Sequence, residues 1–240
     1  MITVISLYRT PTPGEEKHGE RSFWRWEEQG RNYAERFWAG VLRHIKFPHR
    51  RVMLTDSPDL FAEFPCHVIP LHNVGTGWWS KLEAFRPDVS DGKCWYSDLD
   101  NVITGDVSEY LMLPARPLVM LEDRYYPGMA NGSNLLFDAH HPVLRELWTE
   151  YSGNPRAIER EFSKWPHASD QAFIAHRVRR AGLSLPYAQP LLPPGYLLSG
   201  RDEIERGADT SNVRLVWGAG DPKPHESSHP IYKQHWRAAA

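Results

Sequence analysis

Short runs of apolar and β-branched residues recur along the first half of the chain, and each predicts a buried strand. The opening run, Ile-Thr-Val-Ile-Ser-Leu, carries no charge and is followed by a loop rich in Pro and Gly. Similar runs follow at intervals. The predicted strands cover residues 2–7, 51–55, 67–71, 94–97, 117–121 and 133–137.

Other segments place apolar residues three and four positions apart, which is the period of one helical face. The longest series predicts a helix after the first strand and consists of Phe23, Trp26, Gly30, Ala34, Phe37, Val41 and Ile45. Further helices are predicted at 78–85, 143–151 and 169–181, the last with Gly182 as its C-cap. Because strands alternate with helices over the first 120 residues, the pattern predicts an α/β sheet with helices on its faces.

The composition changes after residue 183, where Pro and Gly interrupt any long element. No internal repeat or low-complexity tract marks a second unit. We therefore expect a single domain over 1–240, in which 183–240 form an irregular segment that folds back on the sheet.

Charge and composition narrow the class of protein. The formal net charge is -2, which argues against a basic surface for nucleic acid. The sequence is 41% hydrophobic, enough for a packed core. Two Cys outside any CxxC pair favour a reducing, cytoplasmic setting. We expect no signal peptide and no transmembrane segment, and peripheral contact with a membrane stays open.

Two acidic residues, Asp98 and Asp100, follow the predicted strand at 94–97. Ligands of open α/β sheets gather at the carboxyl ends of strands, and two carboxylates there can bind one hard divalent cation that also holds substrate phosphates. Asp-x-Asp alone is a weak signal. The alternative is that Asp98 caps a turn and Asp100 is solvated.

The context of this pair resembles a known family. Residues 95–106, Trp-Tyr-Ser-Asp-Leu-Asp-Asn-Val-Ile-Thr-Gly-Asp, are similar to the metal-binding segment of GT-A glycosyltransferases, especially family 8, which includes glycogenin and lipopolysaccharide galactosyltransferases. Segments 77–82, 131–137, 170–171 and 220–224 resemble further motifs of that family, in the same order along most of the chain.

The resemblance implies an α/β fold of the GT-A type: a mixed sheet with a Rossmann-like nucleotide-binding half and helices on both faces. It also implies Mn²⁺ or Mg²⁺ on Asp98 and Asp100. The expected contacts of a nucleotide sugar, partly inferred from strand ends, are Leu7, Tyr8, Thr10, Asp56, Lys81, Ser97, Asp98, Leu99, Gly220 and Lys223. Asp170 and Gln171 are the implied catalytic residues, and Asn131, Ser133 and Asn134 are implied on the acceptor or sugar side.

One departure concerns the third metal ligand. The family places a His three residues before the glycine of its last motif, or just before that glycine, and these positions are Trp217 and Ala219 here. We expect His225 to complete the site, with Asp221, His229 or water as alternatives.

The resemblance predicts a metal-dependent transfer of sugar from a nucleotide-diphosphate donor, UDP-linked first, to a glycan or lipid-linked acceptor, with retention of configuration. Two alternatives stay open. A sugar nucleotidyltransferase needs a Gly-rich loop after the first strand, whereas residues 8–14 are rich in Pro. A catalytically inactive relative that binds a glycan or a protein partner is suggested by the missing His.

Overall fold

The computed structural model describes residues 1–10, 20–75, 77–163, 169–218 and 220–238, with the backbone alone for 20–29. The Pro-rich loop expected after the first strand, and the side chains of Phe23 and Trp26, lie outside the described residues. Among the helices of these ranges, none combines the length and apolar character that a membrane crossing requires.

A six-stranded sheet forms the centre of the molecule. Its strands are β1 Ile2–Tyr8, β2 His49–Thr55, β3 His67–Pro70, β4 Lys93–Ser97, β6 Leu118–Glu122 and β7 Ala130–Asp138. They lie in the order β3-β2-β1-β4-β7-β6. Strands β1 to β4 run parallel, whereas β7 is antiparallel to both β4 and β6. The sheet is therefore mixed, as the sequence predicts.

The helices lie on both faces of this sheet, also as predicted. They are α1 Glu20–His44, α2 Ser108–Met112, α3 Pro142–Gly153, α4 Pro155–Phe162, α5 Asp170–Arg180 and α6 Pro230–His235. Residues Gly77–Phe85, predicted as a short helix, form a 3₁₀ segment.

Successive residues of the central strands face opposite sides, which produces two cores. On β1, Val4 packs in the core that contains α1, whereas Ile5 packs in the core that contains α3 and α5. Trp95 and Tyr96 of β4 divide in the same way. Both faces of the parallel strands are thus buried, which explains their nearly continuous apolar runs.

A second sheet of three short strands joins the end of the chain to its middle. Strand β5, Val102–Ile103, pairs antiparallel with β9, Leu215–Trp217, and β8, Leu197–Ser199, runs parallel to β9. Since β5 begins just after Asp100, this pairing brings the residues that follow β9 next to the acidic turn.

The order of the strands creates a crevice in which a ligand can bind. From β1 the chain proceeds outward to β2 and β3, and then returns to β4 on the other side of β1. Such a reversal opens a crevice at the carboxyl ends of the two strands. Asp98 and Asp100 follow β4 directly at this crevice.

Candidate active site

The turn after β4 is held by Asn101. The backbone N–H of Asp98 donates to the carbonyl of Ser133 (2.9 Å). The Asn101 amide donates to Ser97 Oγ (2.8 Å) and to the Ser133 carbonyl (2.9 Å). Its Oδ1 accepts from the N–H of Gly218 (2.9 Å). Asn101 therefore ties the acidic turn both to β7 and to the segment that follows β9.

Asp98 is bound by a lysine and a tyrosine. Lys81 Nζ lies 2.9 Å from Asp98 Oδ2, and the Tyr96 hydroxyl donates to Asp98 Oδ1 at 2.8 Å. Burial by itself lowers the pKa of Lys81, but the carboxylates of Asp98, Asp170 and Asp100 raise it above its ordinary value. Lys81 thus remains a cation among three acidic residues.

Asp100 is bound by a second lysine. Lys223 Nζ lies 2.6 Å from Asp100 Oδ2, and both side chains are largely buried. Burial disfavours the charged lysine, yet Asp100, Asp98 and Asp221 raise the pKa of Lys223 overall. A Cβ on Gly218 would lie 2.5 Å from the Asp100 carboxyl carbon, so a glycine is required for this close approach.

Buried polar atoms without partners lie around Asp170, the first residue of α5. Among the described residues, no group hydrogen-bonds to Asp170 Oδ2, Ser133 Oγ or Ser169 Oγ. Burial raises the pKa of Asp170 to about 6, with Lys81 opposing and Asp98 reinforcing this shift. Because buried polar atoms normally have hydrogen-bond partners, these three are available to bind a polar ligand or water.

Gln171 and Asn131 order the wall beside Asp170. Gln171 Oε1 accepts from the backbone N–H of Gly132 (3.0 Å). Asn131 Oδ1 accepts from the backbone N–H of Ser133 (2.9 Å). Gln171 therefore ties the start of β7 to α5, and Asn131 orders the backbone within β7.

Most of these side chains line one cavity of ≈ 490 Å³, a volume usual for a small-molecule site. The predicted residues that line it are Leu7, Tyr8, Thr10, Lys81, Asp98, Leu99, Asp100, Asn131, Ser133, Asp170, Gln171, Gly220 and Lys223. We call it the donor cavity, after the nucleotide-sugar donor that the family resemblance predicts for these residues. Residues from distant parts of the sequence thus meet at the crevice between β1 and β4.

Three predicted contact residues do not line this cavity. Both oxygens of the Asp56 carboxylate accept from the backbone N–H of Thr10 (2.9 and 3.0 Å), so Asp56 positions the end of β1. Ser97 Oγ accepts from Asn101 inside the turn. Asn134 Oδ1 accepts from Trp95 Nε1 (3.1 Å) in the core, since adjacent strand residues face opposite sides and Ser133 takes the cavity side.

The expectation that His225 completes a metal site does not match this geometry. His225 Nδ1 lies 2.5 Å from the Tyr33 hydroxyl, and its ring packs against Tyr33 and Trp236. His225 is absent from the lining of the donor cavity. Trp217, which stands where the family has a His, is fully buried in the core.

Several residues of the cavity wall are not among the predicted contacts. These are Arg9, Gly77, Trp78, Tyr96, Asp123, Tyr125, Ser169 and Gly218. The position of Asp123 directly after a strand could have indicated it. Asp123 follows β6, which runs parallel to β4, and the rule that ligands gather at the carboxyl ends of strands applies to it as it does to Asp98.

Two carboxylates of the donor cavity, those of Asp98 and Asp100, are suited to bind a divalent cation. Asp98 and Asp100 offer the hard oxygen atoms that Mg²⁺ and Mn²⁺ prefer, and such ions often take one or two carboxylates together with substrate phosphates and water. Within the described ranges, no group of three His, Cys, Asp or Glu side chains is arranged to hold a metal.

Comparisons with known proteins identify the fold. No protein-family model matches the sequence, and no curated protein shows significant similarity to it. Among solved structures, the galactosyltransferase LgtC in complex with donor and acceptor sugar analogs has a TM-score of 0.60 at 11% identity, over 97% of this chain and 93% of that chain. Apo GlyE, a glycosyltransferase of Streptococcus pneumoniae TIGR4, has a TM-score of 0.61 at 13% identity.

WbbM, described as a bifunctional glycosyltransferase, has a TM-score of 0.60 at 12% identity. The alignments cover 97% of this chain in both cases, but only 49% of WbbM and 59% of GlyE. At these identities the likeness concerns the fold. The predicted GT-A fold, with its mixed sheet and helices on both faces, is confirmed.

Proposed function

We propose that this protein is a glycosyltransferase that takes a sugar from a nucleotide-diphosphate donor, with UDP-sugars as the first candidates. The observation that carries the proposal is the donor cavity itself. On a GT-A fold, it combines the Asp98–Asp100 pair with two largely buried lysines at the carboxyl ends of adjacent strands. Neither the fold nor Asp-x-Asp alone would support the assignment.

The positive charges of Lys81 and Lys223 support binding of a diphosphate in the middle of the donor cavity. Lys81 and Lys223 are both held as cations there, each against one carboxylate of the acidic pair. When the leaving nucleotide diphosphate develops negative charge, the two ammonium groups are positioned to stabilise it. The end of β1, at Leu7, Tyr8 and Thr10, would then hold the base and ribose.

The polar atoms around Asp170 that have no hydrogen-bond partner among the described residues support binding of a sugar at that wall of the donor cavity. Asp170 Oδ2 can accept hydrogen bonds from sugar hydroxyls, and the hydroxyls of Ser133 and Ser169 can accept or donate them. Gln171 lies beside these groups. Such convergence of polar atoms on one wall of a cavity fits a polyhydroxylated ligand. We assign Asp170 and Gln171 to orient the transferred sugar.

The proposal includes Mn²⁺ or Mg²⁺ bound by Asp98 and Asp100. When bound, the ion would act as a Lewis acid that neutralises charge on the diphosphate. The two lysines balance the same carboxylates in the ligand-free protein, and would be released to the phosphate oxygens of the donor. Water or phosphate oxygens would supply the remaining ligands, because His225 is bound to Tyr33.

The family resemblance suggests retention of configuration. In the overall transfer, the bond between the anomeric carbon and the β-phosphate oxygen breaks, and a bond from the acceptor oxygen to that carbon forms. The acceptor hydroxyl proton would pass to the leaving phosphate. No side chain of the cavity is assigned as a nucleophile. We propose a glycan or lipid-linked molecule as the acceptor.

A hydrolysis screen tests the proposal, because glycosyltransferases commonly transfer slowly to water when no acceptor is present. Several UDP- and other nucleotide sugars are incubated with the protein, with and without Mn²⁺, and release of nucleotide is measured. We expect metal-stimulated release from one donor or a few. If no nucleotide sugar is hydrolysed under any condition, the proposed activity loses its support.

The departure at Trp217 favours one second candidate, a relative that binds a glycan or partner but has lost catalysis. Calorimetric titration with UDP and Mn²⁺ separates the two candidates. A glycosyltransferase should bind UDP, and more tightly with the metal. Absence of binding at every metal concentration would favour the inactive relative.

A further inference from the structure

A second cavity, of ≈ 460 Å³, lies along α5 beside the donor cavity. Its described lining consists of Met129, Ala130, Gln171, Ala172, Ala175, His176, Arg179 and Arg180. Gln171 belongs to the walls of both cavities. The two spaces are therefore neighbours across a single side chain.

The lining of this second cavity combines an apolar base with a basic edge. The polar groups come from four side chains of α5, Gln171, His176, Arg179 and Arg180, and none of the described lining residues is acidic. The two arginines are exposed. A ligand that fits this surface carries negative charge next to a less polar part.

One of the arginines is held in place. Arg179 Nη2 donates to the Tyr187 hydroxyl (2.9 Å), and that hydroxyl donates to the carbonyl of Gly128 (2.6 Å). The guanidinium therefore loses less conformational freedom on binding than an unrestrained surface arginine would. Guanidinium groups bind phosphate oxygens through paired N–H donors, and a second arginine beside the first doubles the charge offered.

We infer that the second cavity binds a phosphate group of the acceptor. This inference rests on the proposed function, which puts the transferred sugar against Asp170 and Gln171. An acceptor whose phosphate lies at Arg179 and Arg180 has its hydroxyl-bearing part directed past Gln171 to the donor cavity. Both a phosphorylated sugar and a lipid-linked phosphate have this chemistry.

Calorimetry on the full chain tests the inference. UDP with Mn²⁺ is titrated first, so that the donor cavity is saturated where the proposed function holds. Glucose 6-phosphate and geranyl phosphate are then titrated separately, with glucose as the neutral control. We expect at least one phosphate compound to bind about tenfold or more tightly than glucose, because a charged hydrogen bond of about 1.5–3 kcal/mol corresponds to such a factor.

Charge-removal variants locate the binding. The double variant R179Q/R180Q should weaken binding of the phosphate compound by about tenfold or more, by the same charged hydrogen-bond energy. The variant R156Q/R160Q removes two exposed arginines from α4 and should bind like the wild type. Basic residues also stabilise the last turn of a helix, so thermal melting of both variants is compared to verify folding.

The outcomes are distinct. Preference for glucose 6-phosphate indicates a sugar phosphate, and preference for geranyl phosphate indicates a lipid-linked one. If neither exceeds glucose, or if R179Q/R180Q binds phosphate as tightly as the wild type, the inference is overturned. Failure of UDP to bind counts against the proposed function alone, since phosphate binding that R179Q/R180Q abolishes would still locate a site in the second cavity.

Discussion

Lys223 Nζ lies 2.6 Å from Asp100 Oδ2, although 123 positions separate the two residues in the chain. The contact depends on the pairing of β5 with β9. Asp100 lies just before β5, and Lys223 lies a few residues after β9. The small sheet therefore assembles the donor cavity: without it, the acidic turn and the last basic residue of the site would not meet.

The first prediction concerns Gly218, which the small sheet brings against Asp100. In G218A the new Cβ would lie 2.5 Å from the Asp100 carboxyl group, so this side chain or the backbone must move. We expect binding of UDP in the presence of Mn²⁺ to weaken by about tenfold or more, since displaced charged contacts are worth about 1.5–3 kcal/mol. Calorimetry measures the effect.

The matched control is G153A, at the end of α3, where a Cβ would meet nothing within 4 Å. This variant should bind UDP like the wild type. Equal affinities of G218A and G153A would show that the Asp100 position does not govern donor binding.

The second prediction concerns Gly30 on α1. A Cβ at Gly30 would lie 1.9 Å from Cε2 of Tyr8, a ring that lines the donor cavity. G30A must therefore displace Tyr8, and we expect the KM for the donor to rise while the protein stays folded. In G40A, on the same helix, the new methyl would make ordinary contact with Ile103 at 3.5 Å.

Because alanine is favoured over glycine within helices by about 0.5–1 kcal/mol, G40A should be slightly more stable and kinetically unchanged. Thermal melting and donor kinetics on both variants give the comparison. An unaltered KM in G30A would mean that Tyr8 does not contact the donor.

Much of the fold could be predicted from the sequence, because buried parallel strands leave continuous apolar runs. The runs around Val4, Met53 and Trp95 became strands with bounds close to those predicted. The strand-end rule also brought Asp98 and Asp100 to the cavity. These features are encoded locally, by side chains near one another in the sequence.

The remaining features depend on distant contacts. Strands β8 and β9 contain only three residues each, too few to show a period. Asn101 has an ordinary position in a turn, and its role emerges only when Gly218 arrives from the far end of the chain. His225 looked like a ligand by proximity to Lys223, but its partner Tyr33 lies 192 positions away.

The third prediction concerns the pH dependence of donor hydrolysis. Burial raises the pKa of Asp170 to about 6, so its carboxylate is largely ionised only above that pH. If Asp170 acts as an anion toward the transferred sugar, kcat/KM should fall about tenfold for each pH unit below 6 and level off above it, because kcat/KM reports the ionisation of the ligand-free enzyme. A flat kcat/KM profile between pH 5 and pH 7 would contradict this role.

The fourth prediction uses the same group as a probe of stability. The pKa of Asp170 is about 6 in the folded protein against an ordinary 3.8, so the folded state binds the proton more strongly. Its contribution to the free energy of unfolding is therefore greatest below pH 4 and is lost as the pH rises through 6. Above pH 6 the buried charge destabilises the fold by up to about 3 kcal/mol.

D170N removes this charge at nearly constant shape. The variant should be more stable than the wild type at pH 7.5, and the difference should shrink as the pH falls toward 4. Chemical denaturation at several pH values measures it. A variant that is less stable than the wild type at pH 7.5 would show that the Asp170 charge is compensated, contrary to the raised pKa.

The most direct test of the account is donor hydrolysis by D98A and D100A, measured in Mn²⁺ on the nucleotide sugar that the wild type cleaves best. D106A is the matched control, because Asp106 belongs to the same segment but is exposed and binds Ser108. We predict a loss of about 100-fold or more in both site variants, with circular dichroism like that of the wild type and D106A fully active. Full metal-dependent hydrolysis by D98A or D100A would contradict the claim that this acidic pair anchors the donor.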